Sequence, residues 1–252
     1  MNSPKPVTPC SHCRGKMADD FNRSDRRFCS NKCRQADYRR RVNAATKPIE
    51  ALVRGGNADL IKQVARLYAS DPQATIADVT FGKGAFWTKT EHLNVTGSDI
   101  VTVPARPYDF RNLPYEDQSF DIVVLDPPYL PAPGKFMAND RYQNSETTKG
   151  LLYPAIRELY QLGMVEAARV ARRQIWVKCK DTVSAGRQCW LHHHVLQDAE
   201  AIGLVGRDLF VLDATSRMPS SRWSIQHHAR KSMSYLWVFD VPAKRAVAAV
   251  KD

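Results

Sequence analysis

The sequence predicts an α/β fold: a mostly parallel sheet at the centre, and a small cysteine-rich module at the N-terminus. Three observations carry that expectation. The run Ile122–Leu125, inside Phe120-Asp-Ile-Val-Val-Leu-Asp126-Pro127-Pro128-Tyr129, is short and continuously apolar, as in a strand buried on both faces of a parallel sheet. From residue 58 onward, strand-like runs are interspersed with segments of helical spacing, the pattern of an α/β domain. Four of the six cysteines fall within the 24 residues Cys10–Cys33, in a segment too small to build its own core.

Two prolines stop the Ile122–Leu125 run, since neither can donate to a ladder and both fix φ. A carboxylate, a rigid turn and an aromatic ring therefore stand together at the carboxyl end of a central strand, the edge where open α/β sheets bind ligands. Taken alone, the tetrapeptide is a Pro-rich turn closing a buried strand. It also resembles the catalytic motif of class I S-adenosylmethionine-dependent amino-methyltransferases acting on nucleic acid bases. That resemblance implies a Rossmann-like methyltransferase sheet closed by a C-terminal antiparallel hairpin. Asp126, Pro127, Pro128 and Tyr129 would be its catalytic residues.

Charge is distributed unevenly. Residues 1–47 carry twelve Lys/Arg against four Asp/Glu, or +8 of the chain's +11; the remaining 205 residues carry +3. A basic module beside a near-neutral domain suits polyanion binding, although a solvated basic face would look the same. No apolar run approaches the roughly 20 residues of a membrane span, and the N-terminus lacks a signal-peptide core. The expectation is a soluble, cytoplasmic protein of a bacterial cell or a phage-infected host, with residues 1–47 as one module and 48–252 as the main domain.

Cys10-Ser-His-Cys13 and Cys29-Ser-Asn-Lys-Cys33 are separated by fifteen residues. Two close pairs offer four thiolates, a set that suits tetrahedral zinc and leaves no open position for chemistry. Clustered cysteines in a cytosolic chain point to metal rather than disulfides; the alternative is four free thiols in a basic tail. Metal would supply much of the folding free energy of so small a piece. Arg27–Arg41 resembles the second half of a treble-clef-type zinc finger, in which the last two ligands open a helix. Arg34, Arg39 and Arg40 would then meet phosphates, adding affinity and salt dependence but little sequence information. A protein-docking module remains the alternative.

Thr46-Lys-Pro48 is a linker. Leu60, Ile61, Val64 and Leu67 keep helical spacing, and Asp71-Pro72 ends that helix. Thr75–Asp78 is a strand that runs into Val-Thr-Phe81-Gly82-Lys-Gly84, after which a helix is expected. Gly-x-Gly alone marks any tight strand–helix turn; a Cβ there would block close approach of a ligand. Val95–Asp99 reads as a second strand, ending in a carboxylate 21 residues after Asp78, as in nucleotide-binding α/β folds where such a group accepts both ribose hydroxyls. The same methyltransferase resemblance assigns S-adenosylmethionine to this region. Asp78, Phe81, Gly82 and Gly84 would hold its methionine end, Asp99 its ribose, and Asp109 and Phe110 its adenine.

Leu130–Gly150 is a long loop without periodicity, and such loops are functional or disordered. Within it Arg141, with Phe136 and Tyr142, is a candidate contact to the target base or its neighbours. Leu151–Arg173 reads as a helix whose apolar positions are Leu152, Ile156, Leu159, Leu162, Val165, Ala168 and Val170. Gln174–Lys180 is a strand. Leu191–Ile202 is a helix carrying His192, His193 and His194; adjacent residues point to different helix faces, which argues against a shared metal. Leu204–Leu212 and Ser234–Val241 are strands, and between them Arg217, Arg222, Trp223, Arg230 and Lys231 interleave charge with an aromatic ring, as nucleic acid contacts do. His228–Phe239 resembles the closing hairpin of bacterial and phage DNA amino-methyltransferases.

The resemblance covers about residues 72–241. It implies methyl transfer to N6 of adenine in DNA, with duplex substrate presenting a flipped base. The alternatives are cytosine N4, an RNA base, or a non-catalytic zinc-finger DNA-binding protein. Carbon-5 cytosine methylation would need a cysteine nucleophile, and the one Pro-Cys, Pro9-Cys10, lies in the cysteine cluster. A restriction endonuclease partner cannot be read from the residues.

Overall fold

The computed structural model describes residues 10, 13, 28–44, 48–129, 152–215 and 227–242, with only the helical backbone for 38–44. The chain divides into two compact units, residues 1–49 and 50–252. In the first, α1 (Asn31–Ala44) opens at Ser30. The Ser30 hydroxyl accepts the Cys33 N–H at 3.1 Å and its carbonyl accepts the Arg34 N–H at 3.1 Å, the N-cap arrangement that satisfies donors with no partner in the helix. The last two cysteines thus bracket a helix start, as the finger resemblance implies.

The second unit contains the strands β1 (Leu52–Gly55), β2 (Thr75–Asp78), β3 (Asn94–Gly97), β4 (Phe120–Leu125), β5 (Ala171–Cys179), β6 (Thr182–Ser184), β7 (Arg187–Cys189), β8 (Val205–Ala214) and β9 (Met233–Asp240). Seven of them form one sheet, ordered β1-β8-β9-β5-β4-β2-β3. Pairings β1/β8, β2/β3, β2/β4 and β4/β5 are parallel; only the two made by β9 are antiparallel. The fold is therefore a mostly parallel, Rossmann-like α/β sheet with a C-terminal antiparallel hairpin. Ile122, Val123, Val124 and Leu125 are all fully buried, so β4 is covered on both faces. Outside this sheet, β6 and β7 form a separate hairpin.

Helix α2 (Asn57–Tyr68) buries Leu60, Ile61, Val64 and Ala65, one stripe at helical spacing. Gly55 before it has φ +147°, and a Cβ there would lie 2.5 Å from the Asp59 carboxylate, which itself accepts the Gly56 N–H at 3.0 Å. Helix α3 (Tyr153–Val170) buries Ile156, Leu159, Tyr160, Gly163, Met164, Ala167 and Val170. Leu162 and Val165, expected on the apolar face, are 45% and 49% exposed. They follow Leu159 in strict steps of three, and each such step falls short of a full turn by about 60°, so the stripe walks off the core.

Other departures from expectation have local causes. Ala171-Arg172-Arg173 belongs to β5, not to the preceding helix: Ala171 pairs with Phe120, and sheet pairing wins over another helical turn. The helix expected after Gly84 is replaced by successive turns, with N–H bonds Gly84→Phe81, Trp87→Gly84, Thr90→Trp87 and Leu93→Thr90. Two features lie outside the expected elements. One is the edge strand β1. The other is the β6–β7 hairpin, whose two-residue turn Ala185-Gly186 has φ of +48° and +73°, the mirror-image geometry hairpins favour. Helix α4 (Leu191–Ala201) follows β7 directly.

Candidate functional site

The site gathers where the carboxyl ends of β2, β3, β4 and β5 meet. Asp78 closes β2 and is 2% exposed. Its Oδ2 accepts the Trp87 indole N–H at 2.7 Å and its Oδ1 accepts the Thr80 N–H at 3.1 Å. Burial pushes the Asp78 carboxyl up to about 7, against those donors. Thr80 is the link that sequence reasoning missed. Its hydroxyl donates to Asp78 at 3.4 Å and accepts the Asp126 N–H at 2.7 Å, tying the end of β2 to the first residue after β4.

The glycine turn is held from the β3 side. Asp99 lies two residues past β3, and its carboxylate accepts the N–H groups of Gly82 (3.2 Å), Val101 (2.9 Å) and Thr102 (2.8 Å). The Thr102 hydroxyl donates to the Gly82 carbonyl at 2.7 Å. Gly82 has φ +55° and nothing nearer its missing Cβ than a backbone oxygen at 4.0 Å, so its outer surface is clear for a ligand. At Gly84 and Gly97 a Cβ would strike the Phe81 ring, at 2.8 and 2.3 Å. Those two glycines make room for Phe81, a role within the chain that the sequence did not suggest.

Asp109 and Phe110 stand apart from this chain of bonds. Asp109 makes a forked ion pair with Arg111, its Oδ2 2.6 Å from one guanidinium nitrogen, and the hydrogen bond from Arg111 holds its carboxyl below the ordinary range. The Phe110 ring packs on Gly163 of α3. Asp109 does not end a strand, since none intervenes between β3 and β4 among the described residues.

Asp126 follows β4, with its side chain 19% exposed. Across the sheet, register Leu125↔Val177 brings the next position of β5, Lys178, beside it. The Lys178 side chain is 2% exposed; Nζ lies 3.3 and 3.4 Å from the two Asp126 oxygens and over the Tyr129 and Phe86 rings at 5.2 and 5.6 Å. Burial raises the Asp126 carboxyl above its ordinary range, and Lys178 offsets only part of that rise. The single O–H of Tyr160, on α3, is shared between two carbonyl acceptors, Pro127 at 3.1 Å and Lys178 at 3.0 Å. Lys178 had a visible signal: a charged residue inside the apolar run Ile-Trp-Val-Lys-Cys. Tyr160 had none beyond its helical spacing.

Of the proposed nucleic acid contacts, Arg34 and Arg230 are exposed and Lys231 is half-buried. The side chains of Arg39 and Arg40, and the residues Phe136, Arg141, Tyr142, Arg217, Arg222 and Trp223, lie outside the described set. Lys231 places Nζ 5.7 Å over the ring of Trp190, which is 51% exposed. His192 stacks on Tyr235 at 4.4 Å and is held through Nδ1 by Asp181 at 2.8 Å, a carboxylate partner the sequence did not locate. His194 pairs instead with the Tyr153 hydroxyl, so the three histidines do not converge. In the first unit, the sulfurs of Cys10, Cys13, Cys29 and Cys33 lie within 4.8 Å of one another, with Cys13–Cys29 at 3.6 Å and Cys29–Cys33 at 3.4 Å. Tetrahedral zinc at about 2.3 Å from each thiolate would set sulfurs about 3.8 Å apart, so the cluster fits that ion.

No known protein-family pattern matches the chain, and no curated protein matches it. Solved structures do. A proposed DNA modification methylase from Thermus thermophilus, complexed with S-adenosyl-L-methionine, aligns at 14% identity over 67% of this chain and 56% of its own, with a TM-score of 0.35. The PvuII DNA methyltransferase, cytosine-N4-specific, aligns at 13% identity over 51% of this chain and 45% of its own, with a TM-score of 0.38. A proposed methyltransferase from Bacillus halodurans C-125 aligns at 13% identity over 75% of this chain and all of its own, with a TM-score of 0.45. The chain thus spans a little over half the length of the first of these. The likenesses are distant, and function has to be read from the site itself.

Proposed function

We propose that the protein is an S-adenosylmethionine-dependent DNA methyltransferase that methylates the exocyclic N6 of adenine. One observation carries the reading. The Asp78–Thr80–Asp126 hydrogen-bond chain couples a glycine turn suited to a nucleoside cofactor to an Asp-Pro-Pro-Tyr turn suited to an amine. Asp78 would hold the methionine ammonium, with Phe81, Gly82 and Gly84 alongside. Asp99 would accept from the ribose while clamping Gly82, and Asp109 and Phe110 would border the adenine. The clear outer face of Gly82, and the remaining acceptor capacity of Asp99, fit such a ligand. When bound, the cofactor supplies an electrophilic methyl on a sulfonium.

The chain's own residues supply the rest. An aromatic amine is a poor nucleophile, because its lone pair is delocalised into the ring. Asp126 accepts one amine hydrogen and the second lone pair of the Pro127 carbonyl accepts the other. This favours a pyramidal nitrogen and stabilises the charge developing there. Tyr129 stacks on the base. The Tyr160 hydroxyl holds the Pro127 carbonyl in place, and alignment with the methyl contributes through proximity. No covalent intermediate is required; once the nitrogen carries the methyl, its surplus proton would pass to water.

Support for a polymer substrate comes from charge and rings together. Around the β6–β7 hairpin and the start of β9, Arg187 and Arg230 are exposed and Lys231 covers the exposed Trp190, whereas the acid there, Asp181, is buried. Cations beside an open indole suit a phosphate backbone with unstacked bases. The cysteine cluster would bind structural zinc and present Arg34, Arg39 and Arg40. Adenine is favoured over cytosine N4 because family members acting on cytosine more often carry Ser where this chain has Asp126. The test is transfer of labelled methyl to DNA by the purified protein. Asp126→Ala should lower the rate at least about a hundredfold with cofactor affinity little changed. Undiminished turnover would overturn the mechanism, and single-molecule sequencing of DNA from expressing cells would identify base and site.

A further inference from the structure

We propose that Lys178 is the positioning residue of this site: its ammonium keeps the Asp126 carboxylate charged and aimed, so that Asp126 meets the target amine as a hydrogen-bond acceptor. The proposal rests on the methyltransferase reading for its consequence in catalysis, but the pair itself stands on geometry. Lys178 lies in Gln174–Cys179, a run of β5 in which every residue is buried and a strand covered on both faces calls for apolar residues; its side chain is 2% exposed. A buried ammonium is expensive unless paired. Here Nζ sits nearly equidistant from both Asp126 oxygens, at 3.3 and 3.4 Å, with the rings of Tyr129 and Phe86 flanking it. A contact shared by both oxygens holds the carboxylate group toward β5 and sets the positive charge between them. The Tyr160 hydroxyl shares its one O–H between the Lys178 and Pro127 carbonyls, which brings the lysine's backbone and the Pro-Pro turn to a common partner.

The chemical need is specific. A neutral carboxyl carries an O–H, and pointed at an amine it would set donor against donor. Burial pushes Asp126 toward that neutral form, and Lys178 opposes it. The other ionisable groups around Asp126 give no such help. Asp78, from β2, is an acid. Cys179, on β5, is a buried thiol; Lys180, the residue after β5, feels the Lys178 charge, and of the two lysines it is Lys178 that acts on Asp126. From α3, the Tyr160 hydroxyl is directed at the two carbonyls. Lys178 is the cation in hydrogen-bond contact with Asp126 among the described residues.

The experiment compares Lys178→Met, Lys178→Gln and Lys178→Arg with the unaltered full chain. The readouts are the pH profile of kcat for methyl transfer to DNA, and the titration of the Asp126 carboxyl carbon by 13C NMR, assigned with Asp126→Asn. In Lys178→Met and Lys178→Gln, the acid limb and the carbon titration should both move to higher pH by at least about one unit. Activity near neutral pH should fall and recover in part at alkaline pH, with S-adenosylmethionine affinity little changed. Lys178→Arg should keep the limb close to its original place. Loss of activity with both titrations unmoved would mean a purely structural lysine and would overturn the proposal. If Lys178→Met fails to fold, Lys178→Gln, which keeps a donor without the charge, decides. If the unaltered protein transfers no methyl, the functional reading fails, and the carbon titration alone still settles whether Lys178 governs Asp126.

Discussion

Asp78 is a carboxylate whose partners do not balance its burial. Two N–H donors favour its charged form, yet desolvation is the larger effect and lifts it to about 7 from an ordinary value of 3.8. The folded state therefore holds this proton more tightly than the unfolded chain. Its stabilising contribution is complete below about pH 4 and is lost as pH rises through about 7, at about 1.4 kcal/mol per pH unit across that window. The urea midpoint of the ligand-free protein should fall between those limits, and Asp78→Asn should flatten the fall; an unchanged slope would remove Asp78 as its cause. A second consequence follows if Asp78 takes the methionine ammonium. Binding at pH 6 should release up to about one proton and binding at pH 8 almost none. Calorimetry in buffers of different ionisation enthalpy reads that release directly, and no buffer dependence at pH 6 would detach Asp78 from the ammonium.

At the scale of elements, Gly163 sets two effects against each other. It lies inside α3, where alanine would favour the helix by about 1 kcal/mol. An added Cβ would meet the Phe110 ring at 2.9 and 3.1 Å and Leu125 at 3.2 Å, and overpacking of that kind costs about 1–3 kcal/mol. Packing should win: Gly163→Ala is expected to lower the unfolding midpoint and to displace the Phe110 segment, read by chemical denaturation and by the aromatic spectrum. A gain in stability would show that the ring yields freely. The same contest explains what the sequence made legible. Strands β2, β4, β8 and β9, and helices α2 and α4, are set by apolar pattern, and pattern found them. Patterning could not see Ala171–Arg173 leaving α3, because pairing with β4 is a contact distant in sequence. It could not see the Ala185-Gly186 turn, whose alanine adopts a positive φ more typical of Asn or Gly. In the site, the acids were visible one by one. What each touches was not, since Thr80 and Lys178 reach Asp126 from beside it in the sheet and Trp87 reaches Asp78 from the turns after Gly84.

For the whole molecule, the division at residue 49 separates two different sources of stability. The unit of residues 50–252 has a two-faced sheet and a continuous core. The unit of residues 1–49 offers, among its described residues, one helix and four converging thiols, and a piece that small needs a metal or equivalent staple to hold a fold. The two should therefore come apart under chelation. All five tryptophans, Trp87, Trp176, Trp190, Trp223 and Trp237, lie in the second unit, so their fluorescence reports that unit alone. The purified chain should contain about one zinc. A strong chelator should release it and expose four thiols to a colorimetric reagent, with tryptophan emission and S-adenosylmethionine affinity held within experimental error. DNA affinity should fall, and its salt dependence should flatten, if Arg34, Arg39 and Arg40 meet phosphates. Zinc-free protein with all four thiols reactive from the start would defeat the metal assignment. A collapse of tryptophan emission on chelation would instead make the cysteine cluster a support of the unit of residues 50–252, and the DNA measurement would lose its meaning as a test of phosphate contact.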